Sequence, residues 1–281
     1  MKKMNIPRAR LQLMAACSLM ACSGAQAGIT CSLSSNGFSS AYVPTNTGTN
    51  ITSASFTMTC TRGTKGDATS QAYTVVVDNG SHPAGGGQNR AASNKKFINY
   101  DTYTDSACTR LWQGNTKLGG TVTMGSDLLP HSQTVSYWGC IPAGQTTVPA
   151  GTYTDTVTMN PSIGPDATFP VSIVTPSSCS IAASLGNLTF NYTSFQAAAA
   201  SPSLAFTANC TSLLPYSMAL DATTGTSLGL QYSLRLSASS GVGSGTAQSY
   251  TINGSMLGGQ AGTCATGLCT SSTARTLTIT Y

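Results

Sequence analysis

Of 281 residues only 7% are charged, with 13 Lys and Arg against 8 acids, and every acid is Asp. So few charges, with Thr, Ser, Gly and Ala in excess, argue against helices and for strands joined by Gly, Ser and Asn turns. The formal net charge of +5 owes four of its cations to the first ten residues, so nucleic-acid binding loses its main support and no nucleic-acid partner is expected.

Residues 1–27 have the pattern of a secretory signal peptide. Lys2, Lys3, Arg8 and Arg10 precede a short apolar run, LQLMAACSLMA, and AQA (Ala25–Ala27) offers a small-residue cleavage site. Its removal leaves nine Lys and Arg against eight Asp. A cut before Cys22 (LMAC) is the alternative and would make a lipoprotein. No later stretch supplies the ~20 apolar residues that span a bilayer. The mature chain keeps Cys31, Cys60, Cys108, Cys140, Cys179, Cys210, Cys264 and Cys269. An even number in an exported chain predicts disulfides, because the periplasm and the cell exterior are oxidising. Zinc is the rival reading, but there is no CxxC pair, and His82 and His131 lack ligand-like spacing to any Cys. Neither metal nor cofactor is expected.

The strands that follow repeat themselves. FTMTCT (56–61) matches FTANCT (206–211), and YTVVVDNG (73–80) matches YSMALDAT (216–223). NYDTYTD (99–105) resembles QYSLRLS (231–237), WGCIPAGQ (138–145) matches NGSMLGGQ (253–260), and DTVTMN (155–160) falls against TLTITY (276–281). Each half opens with a Cys and places a second one 29 or 31 residues later. This predicts Cys31–Cys60 and Cys179–Cys210, leaving Cys108–Cys140 and Cys264–Cys269. Each bridge that closes a loop of about 30 residues should contribute roughly 3–4 kcal/mol in the chain-entropy model. The expected fold is all-β, two immunoglobulin-like or pilin-like sandwiches over 28–175 and 176–281, with TPSS (175–178) as the linker.

The last strand raises a question. In RTLTITY, Leu277, Ile279 and Tyr281 alternate with Thr276, Thr278 and Thr280, the pattern of a half-buried strand. Its counterpart in the first half is followed by a turn, PSIGPD, and one more strand, TFPVSIV (168–174). The second domain is therefore expected to be incomplete, one strand short. A strand's inward side chains are worth about 1.5–3 kcal/mol each when buried. A domain without them rivals its own net stability in lost burial and bares an edge that templates association. Such a domain requires a strand in trans, with Leu277, Ile279 and Tyr281 on the edge of the receiving groove.

VPAGTYTDTVTM (148–159), NYDTYTDSACTRLWQG (99–114) and FTMTCT resemble the spore coat protein U domain of Csu-type subunits in archaic chaperone–usher pili. The resemblance is strong over the first half and weaker over the second. It implies assembly by strand exchange: a periplasmic pilus chaperone lends a strand, and an outer-membrane usher replaces it with an extension of the next pilus subunit. Only Gly28, Ile29 and Thr30 stand between the expected cleavage site and Cys31, so the chain is expected to accept a strand without donating one. That places it at the far end of a fibre, exported through the periplasm to the cell surface. There 28–175 would be the adhesive domain, attaching to an abiotic or host surface and supporting biofilm formation. The alternative is a structural spore-coat or extracellular-matrix protein built of the same domains.

Attachment needs apolar groups on loop tips. GSDLLPHS (125–132) places Leu128, Leu129 and Pro130 between polar residues, and CIPAGQTTVPAG (140–151) offers Ile141, Pro142, Val148 and Pro149. Capping of the sandwich core is the alternative for all of them. Trp112, Trp138, Tyr100 and Tyr103 are candidates for sugar contact or for packing. Arg90, Lys95 and Lys96 in GGGQNRAASNKK (85–96) are candidates for an anionic surface or a solvated loop.

No catalytic residues are expected. GTSLG (225–229) is formally G-x-S-x-G around Ser227, but no His follows residue 131 and no strand–elbow–helix context surrounds it. Asp101 and Asp105 are a weak match to a glycosidase pair.

Overall fold

The computed structural model describes residues 28–182, 185–265 and 267–281. The expected signal peptide and the alternative cut at Cys22 lie outside them. Thr, Val, Tyr and Ser alternate through the described chain, and their β-branched and aromatic side chains suit a pleated, half-buried surface. The result is all-β.

The first half contains β1 (Thr30–Ser35), β2 (Phe38–Ala41), β3 (Asn50–Thr61), β4 (Ser70–Val77) and β5 (Asn89–Ser93). It continues with β6 (Lys96–Tyr103), β7 (Leu118–Thr123), β8 (His131–Ile141), β9 (Gly151–Pro161) and β10 (Ala167–Thr175). These strands join in the order β1-β3-β8-β6-β5-β9-β10-β2, with β4 bridging β7 and β9. The sheet curls on itself into a sandwich. Burial alternates strictly along β9 and β10, as one wetted face demands. The core gathers 25 buried residues, with Trp112 stacked on Phe56 and tilted against Tyr137.

The second half contains β11 (Cys179–Ala182), β12 (Ser203–Cys210), β13 (Pro215–Leu220), β14 (Thr224–Ser227) and β15 (Leu230–Leu236), then β16 (Ser240–Val242), β17 (Ala247–Ser255) and β18 (Leu277–Thr280). One sheet runs β11-β12-β17-β15-β14 and the other β16-β13-β18. The two enclose a smaller core around Phe206, Tyr216, Met218, Leu234 and Ile252.

Among the described residues four disulfides are present: Cys31–Cys60, Cys108–Cys140, Cys179–Cys210 and Cys264–Cys269. The first and third join directly opposed residues of β1–β3 and β11–β12. Between the halves, the Thr211 hydroxyl accepts a hydrogen bond from the Ser178 backbone at 3.1 Å and donates to the Pro176 carbonyl at 3.1 Å. This fastens the three residues between β10 and β11.

Candidate functional site

In the first half, β10 lies between β9, which it meets antiparallel, and β2, which it meets parallel with Val171 opposite Phe38 and Val174 opposite Ala41. Its Phe169, Val171 and Ile173 are buried in the core.

The same frame recurs in the second half. β18 pairs with β13, Met218 opposite Ile279, as β9 pairs with β4. The counterpart of β2 is 188–192 (LTFNY). Its Leu188, Phe190 and Tyr192 are half-buried while Thr189 and Asn191 are exposed, the alternation of an extended chain. Phe38 lies against Gly139, and Phe190 and Leu188 lie against Gly254: a Cβ there would be 2.4 Å from the Phe38 ring, or 2.5 Å from that of Phe190. The Gln145 backbone donates to the Tyr42 hydroxyl at 3.0 Å, and that of Gln260 to Tyr192 at 2.8 Å.

Between β18 and 188–192, where β10 sits in the first half, no strand lies among the described residues. Leu277 and Ile279 are half-buried, and the half-buried Leu188, Phe190 and Tyr192 pack against the same core. Tyr281 falls past the last register pair of β18, Ser217 with Thr280, and is 56% exposed. The second core thus has 9 buried residues and 13 partly buried ones packed on them, against 25 and 6 in the first. The groove suits an extended segment with an apolar side chain at every second residue, parallel to 188–192 and antiparallel to β18. The far wall has one mark in the sequence, the alternation of LTFNY, which the surrounding Asn, Ser and Ala obscure.

The two nominated loops lie at opposite ends of the first half. β10 runs from Ala167, opposite Met159, to Thr175, opposite Gly151, and then enters the second half. The loop joining β8 to β9 is therefore at the junction, and the loop joining β7 to β8 is at the far end. At the far end Leu128, Leu129 and Pro130 are exposed, Leu129 at 65%. His131 Nε2 lies 2.8 Å from Asp127 across their base, and this hydrogen bond holds the Asp127 carboxyl below its ordinary range. Buried Arg62 donates to the carbonyls of Gly125 at 2.8 Å, Asp67 at 2.7 Å and Lys65, tying two far-end loops together.

The junction loop corrects an expectation. Ile141 and Val148 are 1% and 4% exposed and belong to the core, because β8 extends through Ile141 and the chain turns inward before β9. Pro149 bridges to Ser212 of the second half, while Pro142 stays exposed. Trp112 and Tyr100 are also core residues, the Trp112 indole donating to the Val75 carbonyl at 3.1 Å. Trp138 and Tyr103 are opposite one another in the β6–β8 pair and half-buried. Arg90 is engaged, donating to the His82 and Pro83 carbonyls and lying 4.2 Å over the Phe97 ring. Lys95 and Lys96 are exposed.

The carboxylates serve the fold. Asp105 accepts backbone hydrogen bonds from Ala107, Thr109 and Arg110, and Asp101 accepts from Asn89 and Gln113. Buried Asp155 accepts from the Ser81 backbone and from the Tyr100 hydroxyl at 2.7 Å. Burial, then that carboxylate, pushes the Tyr100 hydroxyl far above its ordinary range. Ser227 pairs with Leu230 across a hairpin turn whose Leu228 and Gly229 have positive φ, so GTSLG is turn chemistry. Among the described residues no group of three His, Cys or Asp is placed to hold a metal ion, and no helix is long and apolar enough to cross a membrane.

The family model of the Spore Coat Protein U domain matches residues 13–160 and 166–242. No curated protein sequence matches the chain. Among solved structures, the CsuC–CsuE chaperone–tip adhesion subunit complex of Acinetobacter baumannii is similar at 15% identity and TM-score 0.44, covering 89% of this chain and 99% of that one. The CupB6 tip adhesin of Pseudomonas aeruginosa is similar at 14% identity and TM-score 0.35, covering 89% and 94%. A family 123 glycoside hydrolase of Clostridium perfringens is similar at 9% identity and TM-score 0.27, over 53% and 27%. Likenesses this distant carry no statement about activity.

Proposed function

The chain belongs to the Spore Coat Protein U domain family, and from that premise we propose that it is a non-catalytic adhesin at the tip of a chaperone–usher pilus. The open groove of the second half carries this reading. A closed domain has no use for two facing rows of half-buried apolar side chains beside an unpaired sheet edge, whereas a strand lent by a partner would bury both. A periplasmic chaperone is the first lender, and the next subunit the final one after exchange at an outer-membrane usher. The domain over 28–175, filled by its own β10, is the adhesive part. The domain over 176–281 is the pilin part that joins it to the rod. Export through the periplasm would place the chain outside the cell, where Leu128, Leu129 and Pro130 meet an abiotic or host surface and promote biofilm formation.

The test uses the first half's own solution. The hairpin sequence 161–175 is appended after Tyr281, so that its last strand can fold back antiparallel to β18. Without a chaperone the native chain should aggregate or be degraded, and the extended chain should be a soluble monomer. Equal behaviour of the two would refute the strand-acceptor reading.

A further inference from the structure

The loop that seats the first half on the second has a twin at the other end of the second half. Gln145 organises the first copy. Its side chain accepts from the Asn99 backbone at 2.7 Å and donates to the carbonyls of Asn99 at 2.9 Å and Pro142 at 3.2 Å. Gln260 repeats this, accepting from the Gln231 backbone at 2.7 Å and donating to the carbonyls of Gln231 and Leu257 at 3.0 Å. The loop after Ile141 therefore corresponds to the loop after Met256.

The first copy is covered. A Cβ on Gly245 would lie 1.7 Å from the Thr146 carbonyl oxygen, and Pro149 bridges to Ser212. So the β8–β9 loop presses on the loops that precede β13 and β17. The second copy is bare. Leu257 is 70% exposed, and Phe195, whose backbone donates to the Gln260 carbonyl at 2.8 Å, is 71% exposed. Gly259, Ala261 and Thr263 are exposed as well. This end lies away from the junction, because β17 runs from Ala247, opposite Asn209, toward Asn253, opposite Ser203. A strand entering the groove antiparallel to β18 would leave it here, as β10 leaves the first half beside Thr146 and Pro149.

We infer that the end face formed by Phe195, Leu257 and the loop 259–263 is a docking face for the first domain of the subunit that lends the strand. The inference rests on the strand-acceptor reading and adds a second contact to it. The partner surface is specified by the internal copy. It is a domain of this fold that begins about three residues beyond its donor strand and offers a glycine and small residues on its end loops, as Gly245 and Ser212 do. The strand then supplies the attachment, and the end face fixes the angle of the joint.

Hydroxyl-radical footprinting separates the two contacts. The chain is compared refolded with a synthetic peptide of sequence 166–175, in pili isolated from producing cells, and denatured in urea as the reference for reactivity. The peptide should protect Leu277 and Ile279 and leave Phe195 and Leu257 reactive. In pili, oxidation of Phe195 and Leu257 should fall at least about fivefold, as expected of side chains in a dry interface core, with Leu129 unchanged. Pili carrying Leu257→Asp should still protect Leu277 while Phe195 regains its reactivity. Equal labelling of Phe195 and Leu257 in pili and in the peptide complex would overturn the docking face alone. Failure of both peptide and pilus to protect Leu277 and Ile279 would overturn the strand-acceptor reading beneath it.

Discussion

Gln145 and Gln260 each hold their loops by the same four hydrogen bonds, yet the cores beside them differ. Around the first, buried apolar residues outnumber partly buried ones 25 to 6; around the second they are outnumbered, 9 to 13. The frame is repeated and the filling is not. Part of the difference lies at the position of β10, which contributes Phe169, Val171 and Ile173 to the larger core. The repeated hydrogen-bonded frame therefore does not by itself close a core.

The largest test removes the filling from the half that has it. Phe169 is buried and lies 5.3 Å from the Tyr137 ring. Phe169→Asp would bury an unpaired charge at the centre of the first core, and a loss above about 4 kcal/mol is expected. The same charge at half-exposed Leu277 should cost well under half as much, because water already reaches that site. Urea unfolding of both variants, refolded at low concentration and followed by tryptophan fluorescence for the first half, which holds both Trp112 and Trp138, and by limited proteolysis for the second, checks the ratio. Equal losses would mean that the two cores are equally closed.

A smaller effect comes from the matching bridges. Cys31–Cys60 and Cys179–Cys210 close loops of 29 and 31 residues, so chain entropy assigns each roughly 3–4 kcal/mol. The same loss should have different outcomes. With both partners changed to Ala, the first half should remain folded at 25 °C, and the second should become a substrate for limited proteolysis. Smaller again, Gln145→Ala and Gln260→Ala each leave a strand's backbone groups unpaired, and a cost of about 1–3 kcal/mol is expected at either site. Thermal melts that show an effect at only one of them would break the equivalence of the two loops.

Much of this was legible because disulfides and strand alternation leave marks in sequence. FTMTCT and FTANCT align on cysteines that the register places opposite Cys31 and Cys179. The alternation of Leu277 and Ile279 announced one wall of the groove. The other wall did not announce itself, since Leu188, Phe190 and Tyr192 make no ladder that would demand β-formers between them, and Thr189 and Asn191 read as turn chemistry. The loop 140–151 left two roles open, surface contact and core capping, for a different reason. Composition tells which residues form a loop, but not which end of a sandwich faces its neighbour. That was decided by the direction of β10.

The last and smallest effect on stability separates the two loops by function. Leu128 and Leu129 are 42% and 65% exposed, so Leu128→Ser with Leu129→Ser should shift the unfolding free energy by less than about 0.5 kcal/mol. Ile141→Ser, in the core, should cost about 2–4 kcal/mol. If the far end is the adhesive surface, the exposed pair should lose attachment to apolar surfaces without loss of fold, whereas Ile141→Ser should lose attachment only in proportion to the protein that unfolds. Acid adds a second handle. The Asp127 carboxyl is held below its ordinary range by His131, so its contribution to the loop is present above the unfolded value and vanishes as pH falls through the lower, folded one. Asp127→Asn removes the carboxylate at every pH, so the protection factor of the Leu129 amide, which donates to Asp127, should fall at neutral pH. An Asp127→Asn variant with native exchange at Leu129 would show that the His131 contact does not shape this loop.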